Sequence, residues 1–456
     1  MKKHLLSCLA IGLLSNLLVT ESALAVVTHS DRINITDAPY NATPDSTNGS
    51  YDTAAINAAV AAVGPGGSIY FPPGRYDYQG TLSLPQGKSY RLYGDGPGVS
   101  TIAFTGPNAG ILYITYVGEK TFTVEGLSIL ANTSKCGTAI QAYFNDTNAT
   151  KKFRTATIRN VQIFGSSRTG GGGYWTGGIR LYQAQNSVLT NVEMAGENRE
   201  PGTDCNETVQ PGPSASEYGV IWDSATNYRT SGLQMSNIQI LLFDTALRTN
   251  GLVENVFVTG FEFPYCGTNG NPAVDLNSSD STNLGSTFHL VNGHVAGLQN
   301  VLRMTNLRGV KLSKLSIVHV TGRAGPTPTP SPENPSPTPG PQYECGASGN
   351  DVALNNVADA VISQCTFIGV GPDIPDEIGI RVDNSQRVQI LGNYFTHFFP
   401  GNAQGTPPNN AQDACINVQS TSSTVRVINN VFEPGGVYIP YFIPVPASTY
   451  KRGNNL

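Results

Sequence analysis

Charge is scarce in this chain. Asp, Glu, Lys and Arg together make 13% of its 456 residues, and the balance of −5 leaves no basic excess. A nucleic-acid surface needs clustered Lys and Arg to neutralise phosphates, so that partner is not expected. None of the seven cysteines falls in a Cys-x-x-Cys pair, which argues against zinc and thioredoxin chemistry. Beyond the first 25 residues no apolar run is long enough to span a bilayer. Helical periodicity is nearly absent as well, which excludes leucine-rich and ankyrin arrays.

Strands and turns are what remain. Residues 177–194 read as a short strand (178–182), a polar turn (183–187) and a second strand ending in Asn191-Val192-Glu193-Met194. Apolar residues alternate in both strands: Ile179 and Leu181, then Val192 and Met194. The unit recurs in degenerate form at 246–258, 379–395 and 415–432, with single halves at 157–163, 232–240, 309–317 and 360–367. A degenerate repeat of about 20–30 residues made of strands points to a solenoid, here a parallel β-helix. The fold class expected is therefore all-β. Such an array grows in one dimension, so residues 26–456 are expected to form a single domain.

Residues 1–25 read as an export signal. Lys2 and Lys3 give the positive start, an apolar stretch follows, and Ala23-Leu24-Ala25 is the small-x-small cleavage site. The expected location is secreted, periplasmic or extracellular. Six cysteines remain after cleavage, enough for up to three disulfides in any of 15 pairings. Residues 325–341, GPTPTPSPENPSPTPGP, favour extended polyproline and cannot join a strand ladder, so they read as a loop pushed out of one coil. The tail from 435 onward is expected to run over the last coil. The sequence carries no signal for an oligomeric state.

Residues 52–63, DTAAINAAVAAV, form the one convincing helix, with Asp52 as N-cap and Ile56, Val60 and Val63 on one face. A solenoid needs its open apolar end covered, and this helix would cap it. Asp52-Thr53-Ala54-Ala55-Ile56-Asn57-Ala58-Ala59 is followed by Gly66-Gly67, then Phe71-Pro72-Pro73-Gly74-Arg75-Tyr76, then Leu92-Tyr93-Gly94-Asp95-Gly96. This order resembles the opening of pectin-lyase-fold proteins of the pectate lyase superfamily. The resemblance implies a right-handed parallel β-helix and action on polysaccharides; fold alone does not fix chemistry. The polygalacturonase-type signatures Asn-x-Asp, Asp-Asp, Gly-His-Gly and Arg-Ile-Lys are missing, as is the Arg-rich signature of calcium-dependent pectate lyases. Gly293-His294-Val295 is the nearest approach to Gly-His-Gly.

Aligning the first strand of each coil gives an outward column of Gln141, Arg180, Ile221, Arg248, Asp275, Arg303 and Arg381. Two residues further along lie Tyr143, Tyr182, Asp223, Asn250, Asn277, Thr305 and Asp383. The other strand's outward column is blander: Gln162, Glu193, Gln239, Phe257, His294, Ser316 and Thr366. His319 is also expected to face outward. The first face concentrates Arg, Asp and Tyr in a chain with little charge, and those side chains suit sugar hydroxyls, carboxylates and ring faces.

In a hydrolase, Asp223 and Asp275 would be acid and base, about two coils or roughly 9–10 Å apart at the backbone. In a lyase or epimerase, Arg248 or Arg303 would neutralise a uronate and Tyr182 or an Arg would move the proton. A non-catalytic reading pairs the same Arg and Asp as solvated salt bridges on a glycan-binding surface. Hydrolysis is the first expectation, with Asp223, Asp275 and Arg248 catalytic. Arg180, Tyr182, Arg303, Tyr143, Asn277 and His294 would bind a polysaccharide substrate. No metal or cofactor is expected, except calcium in the lyase case.

Overall fold

The computed structural model describes residues 31–45, 51–145, 154–166, 172–197, 216–225, 228–267, 271–297, 300–319, 350–369, 378–396, 414–432, 439–442 and 450–452. Residues 1–25, read above as an export signal, the Pro-rich segment, Cys205 and Cys345 fall outside them.

The chain is a right-handed parallel β-helix. Each coil contributes a strand to three parallel ladders, here called sheets A, B and C. In the coil of residues 175–195, Trp175–Tyr182 belongs to sheet A, while Ser187–Ala195 gives its first half to B and its second to C. Every ladder is parallel, as a chain that winds in one sense requires. Alternation sends Ile179, Leu181, Val192 and Met194 inward, each at most 1% exposed. The same positions in neighbouring coils stack on them, so the core is one apolar column. Phe367, Phe395 and Phe432 stack face to face within it at 4.6 and 5.1 Å.

A single residue separates sheets B and C. It has left-handed backbone at Gly126, Asn160, Asn191, Asn237, Gly260, Asn292, Lys314, Gln364, Gly392 and Asn429, with φ from 51° to 63°. Asn and Gly tolerate that conformation because a short polar side chain, or no Cβ, relieves the clash that other residues meet. The Asn-Val-x pattern in the sequence is this corner. Lys314 breaks the preference, so Lys314→Asn is expected to stabilise the protein by about 1 kcal/mol, read as a raised denaturant midpoint. At two coils Asn takes a second role. Asn393 and Asn430 point inward, and Asn393 Nδ2 donates to Ile362 O at 3.0 Å and to Asn430 Oδ1 at 2.9 Å.

The helix spans Thr53–Ala62 and buries Ile56, Ala59 and Val60. It sits on the strand Gly74–Leu84, where Tyr78 donates to Asn57 Oδ1 at 2.7 Å and Thr53 Oγ1 accepts from Gln79 N–H at 2.8 Å. Asp52 does not cap it through its side chain. Its Oδ1 accepts instead from Thr43 N–H at 2.8 Å, tying the leader chain to the first coil.

Four further expectations change. Cys136, Cys266, Cys365 and Cys415 are buried thiols, each in its own coil's interior, so the described cysteines form no disulfide. His319 faces inward, with Nδ1 3.8 Å from an Asp351 carboxylate oxygen. Phe257 is not in the sheet C column: it aligns with Gln234 and His289 of sheet B, and the true member is Glu262. Parts of the tail add another coil, since Ile439–Phe442 pairs with Ala414–Val418 and Tyr450–Arg452 with Val425–Ile428.

Candidate functional site

The connections differ in length by more than an order of magnitude. The step from B to C takes one residue. The step from C back to A takes 196–217 in one coil, 320–349 in another and 397–413 in a third. Connections longer than about 12–15 residues are uncommon in compact domains and are usually functional. The edge of sheet A where they return is therefore where a site is expected.

The register of sheet A places Gln141, Arg180, Ile221, Arg248, Asp275 and Arg303 side by side in successive coils. Tyr143, Tyr182, Asp223 and Asn250 form the parallel column, and Asn277 pairs with Thr305. One coil lies between Arg303 and Arg381 that the sequence columns omit: Ala353 and Asn355 fill it. Arg381 and Asp383, bonded to each other at 2.8 Å, stand two coils further on.

Side chains on an outward solenoid face are normally wet, but Asp223 is 6% and Asp275 7% exposed. Asp223 Oδ2 accepts from Arg180 Nε at 3.1 Å and lies 3.0 Å from Nη2, and its Oδ1 accepts from Asn250 Nδ2 at 3.2 Å. Burial raises the Asp223 carboxyl above the usual carboxylate range, and the attraction of Arg180 offsets only part of that. Asp275 is held bidentately by Arg303, at 3.0 Å from Nε and 2.8 Å from Nη2.

Arg248 lies in the coil between the two acids. Its Nη2 donates to Thr245 Oγ1 at 3.1 Å and Asn271 Oδ1 at 3.3 Å. Its Nε is buried, makes no hydrogen bond and sits 3.8 Å from Asp275 Oδ2. Asn277 Oδ1 is likewise buried without a donor. With Asp383 Oδ1 further along, three such groups lie on this face, and the two beside the acids are where a polar ligand would complete the bonding.

Asp223 and Asp275 are offset diagonally, by two coils and by two residues along the strand, so their Cα atoms stand roughly 11–12 Å apart, further than the coil count alone gives. Each carboxyl is shared between coils, Asp223 between Arg180 and Asn250 and Asp275 between Arg303 and, at 3.8 Å, Arg248, so the carboxyl separation is roughly 8–12 Å.

Tyr143 and Tyr182 extend this face, with ring centroids 5.9 Å apart and the Arg180 guanidinium 5.7 Å from the Tyr143 ring. Tyr218 belongs with them and was not singled out in the sequence. Its ring lies where a Cβ on Gly177 would be, 2.4 Å from that position, and its hydroxyl is 2.6 Å from Thr138 Oγ1. The signal was Gly177, which leaves room for an aromatic ring from the next coil. His294 is not part of this face. It lies on sheet C, paired in register with Glu262, in a groove of about 1330 Å³ at the B/C corner. Among the described residues no three His, Cys, Asp or Glu side chains gather as a metal site, and no step below passes through calcium.

The fold and this face define a parallel β-helix protein with a buried acid pair on one outward sheet. Residues 32–259, half of the chain, match the family described as rhamnogalacturonase A/epimerase, pectate lyase-like. The chain belongs to that family. No curated protein matches it. Among solved structures it is similar to the mannuronan C-5 epimerase AlgE6 A-module of Azotobacter vinelandii, with 15% identity, 88% of this chain and 99% of that one covered, and a TM-score of 0.46. It is also similar to tailspike protein 3 of bacteriophage CBA120 (11% identity, 93% and 62% covered, TM-score 0.48). A third is the catalytic domain of a GH87 α-1,3-glucanase (10% identity, 90% and 67% covered, TM-score 0.39).

Proposed function

We propose that the protein is an exported, single-domain polysaccharide hydrolase of the inverting type, with its active site on sheet A. The observation that carries this is the pair of buried carboxyls, Asp223 and Asp275, flanking the Nε of Arg248, which makes no hydrogen bond. Asp223, raised by burial, is the general acid and protonates the leaving glycosidic oxygen. Asp275 is the general base. It takes a proton from a water that attacks the anomeric carbon from the opposite side as the bond to the leaving oxygen breaks. Carboxyls roughly 6.5–9.5 Å apart leave room for that water, and the lower part of the separation here overlaps that window. Arg248 Nε donates to an oxygen of the bound sugar. Arg180 and Arg303 hold the two acids, and Tyr143 and Tyr182 offer ring faces to neighbouring sugars. Residues 1–25 support export.

The test is an activity screen on neutral and acidic polysaccharides that follows both reducing ends and the ultraviolet absorbance of unsaturated uronates. Reducing ends without absorbance, with an inverted anomer, support hydrolysis. A second reading has one observation in its favour. A buried Arg248 Nε in a column with Arg180, Arg303 and Arg381 also suits a uronate carboxylate, with Tyr182 moving the C5 proton in elimination or epimerisation. Absorbance, or a change of uronate configuration without cleavage, would select it. In either chemistry Arg248→Gln is expected to lower kcat/KM by about 10–100-fold with little loss of stability, because Asp275 keeps Arg303. Activity within twofold of the parent would remove Arg248 from the site.

A further inference from the structure

We propose that the groove at the corner of sheets B and C is a second glycan-binding site, which holds a chain of neutral sugars along the helix axis. It rests on the polysaccharide reading above and concerns a different face of the molecule.

The groove runs from Tyr93 and Glu125 to Gln364 and Thr366, across nine successive coils, or roughly 38 Å. Its volume is about 1330 Å³. Pockets for small apolar molecules are lined mainly by hydrophobic side chains. This one is lined by amides and carboxylates repeated once per coil. Gln162, Glu193, Gln239, Glu262 and His294 stand in register on its sheet C side. The corner asparagines form its floor, where Asn191 Nδ2 donates to Asn160 Oδ1 at 2.9 Å and Asn237 Nδ2 to Asn191 Oδ1 at 2.7 Å.

These ladders fix the side chains without using them up. Each bonded amide keeps a second N–H and a second lone pair for the open side, and each carboxylate keeps acceptor sites. Gln162 Nε2 donates to Glu193 at 2.8 Å and Gln239 Nε2 to Glu262 at 3.1 Å, so donors and acceptors alternate along the trough. A surface that repeats the same polar groups at one spacing suits a ligand that repeats its own, and sugar hydroxyls both donate and accept.

Charge selects the kind of chain. Glu125 at one end is neutralised by Arg91 and Arg159. Glu193 and Glu262 in the middle have amide partners only, and burial holds His294 beside Glu262 towards its neutral form. Lys314 lines the groove two coils beyond Glu262, so the negative stretch is that of Glu193 and Glu262, and there the groove repels uronates. The arginines of sheet A favour the opposite. The two faces are built for different stretches of glycan, neutral in the groove and acidic at the catalytic face.

The test is affinity electrophoresis and calorimetry of the full chain with neutral and uronate oligosaccharide ladders. The variants are Glu193→Ala/Glu262→Ala, the isosteric Glu193→Gln/Glu262→Gln, and Asp223→Asn. Binding of neutral chains is expected to weaken at least tenfold in the Ala double variant and less in the Gln variant. Cleavage of short soluble substrates and the melting profile should stay as in the parent. Asp223→Asn should lose cleavage and keep neutral-chain binding. Neutral binding unaffected by both groove variants, or binding of uronate chains alone, would overturn the proposal. Groove-dependent binding with no cleavage of any polysaccharide would sink the hydrolase reading and leave this one standing.

Discussion

Asp223→Asn is expected to lower kcat on polysaccharide by ~10²–10⁴-fold, the range that a positioned general acid contributes. Asparagine has nearly the same shape: its one carbonyl oxygen can keep the bond from Arg180, and its NH2 then meets Asn250, whose own amide can turn to accept, so the face should keep its geometry. What it cannot do is give a proton to the leaving oxygen. An aryl glycoside with a good leaving group needs no such proton, so on that substrate the loss should shrink to a small factor. Asp275→Asn should lose about as much on both substrates, because the attacking water still needs a base. The pH profile gives a further check. A general acid works protonated, so activity falls as pH rises through its pKa. Burial raises that pKa, which moves the alkaline limb above the ordinary carboxylate range. The Asn variant should lack that limb. Equal losses for both variants on both substrates, with the limb retained, would remove the acid role from Asp223.

The face was legible in the sequence because two rules coincide there. Alternation fixes which residues point out, and charge is so rare in the chain that four Arg and three Asp in two columns stand clear of the background. Stacking then does the rest, since Arg180, Arg248, Asp275 and Arg303 need only one register to become neighbours. The failures have physical causes too. Residues 255–258, Asn-Val-Phe-Val, imitate the corner step, whereas the real corner in that coil is Gly260, so Glu262 was passed over. Gly meets the left-handed requirement as well as Asn does, and a search for Asn alone misses it. The coil carrying Ala353 and Asn355 has no charged residue on this face to draw attention. His319 lies three residues beyond outward Ser316, so unbroken alternation puts it inward, and the structure keeps that phase with His319 buried against Asp351. Fixing the separation of the two acids needed the offset along the strand as well as the coil count.

The second large effect concerns the support under the catalytic acid. Trp222, next in chain to Asp223, points the other way and is fully buried. Its indole fills the interior of its coil, and Nε1 donates to Ala184 O at 2.8 Å. In register it pairs with Leu181 on one side and Thr249 on the other. Trp222→Ala removes most of that volume and leaves the Ala184 carbonyl without its donor. The expected cost is about 3–5 kcal/mol, with about 1–3 kcal/mol of it from the unsatisfied carbonyl. Trp222→Phe keeps a ring in place and should cost less. A solenoid shares stability between nearest-neighbour coils, so the loss should be local before it is global. Hydrogen exchange should speed up first in Trp175–Tyr182, Tyr218–Asp223 and Thr245–Asn250, and least near the helix Thr53–Ala62. Activity should fall with it, since the strand that loosens carries Asp223. Uniform acceleration along the whole chain would mean that the β-helix opens as one unit. Unchanged exchange in those three strands would mean that the interior of this coil does not hold the acid in place.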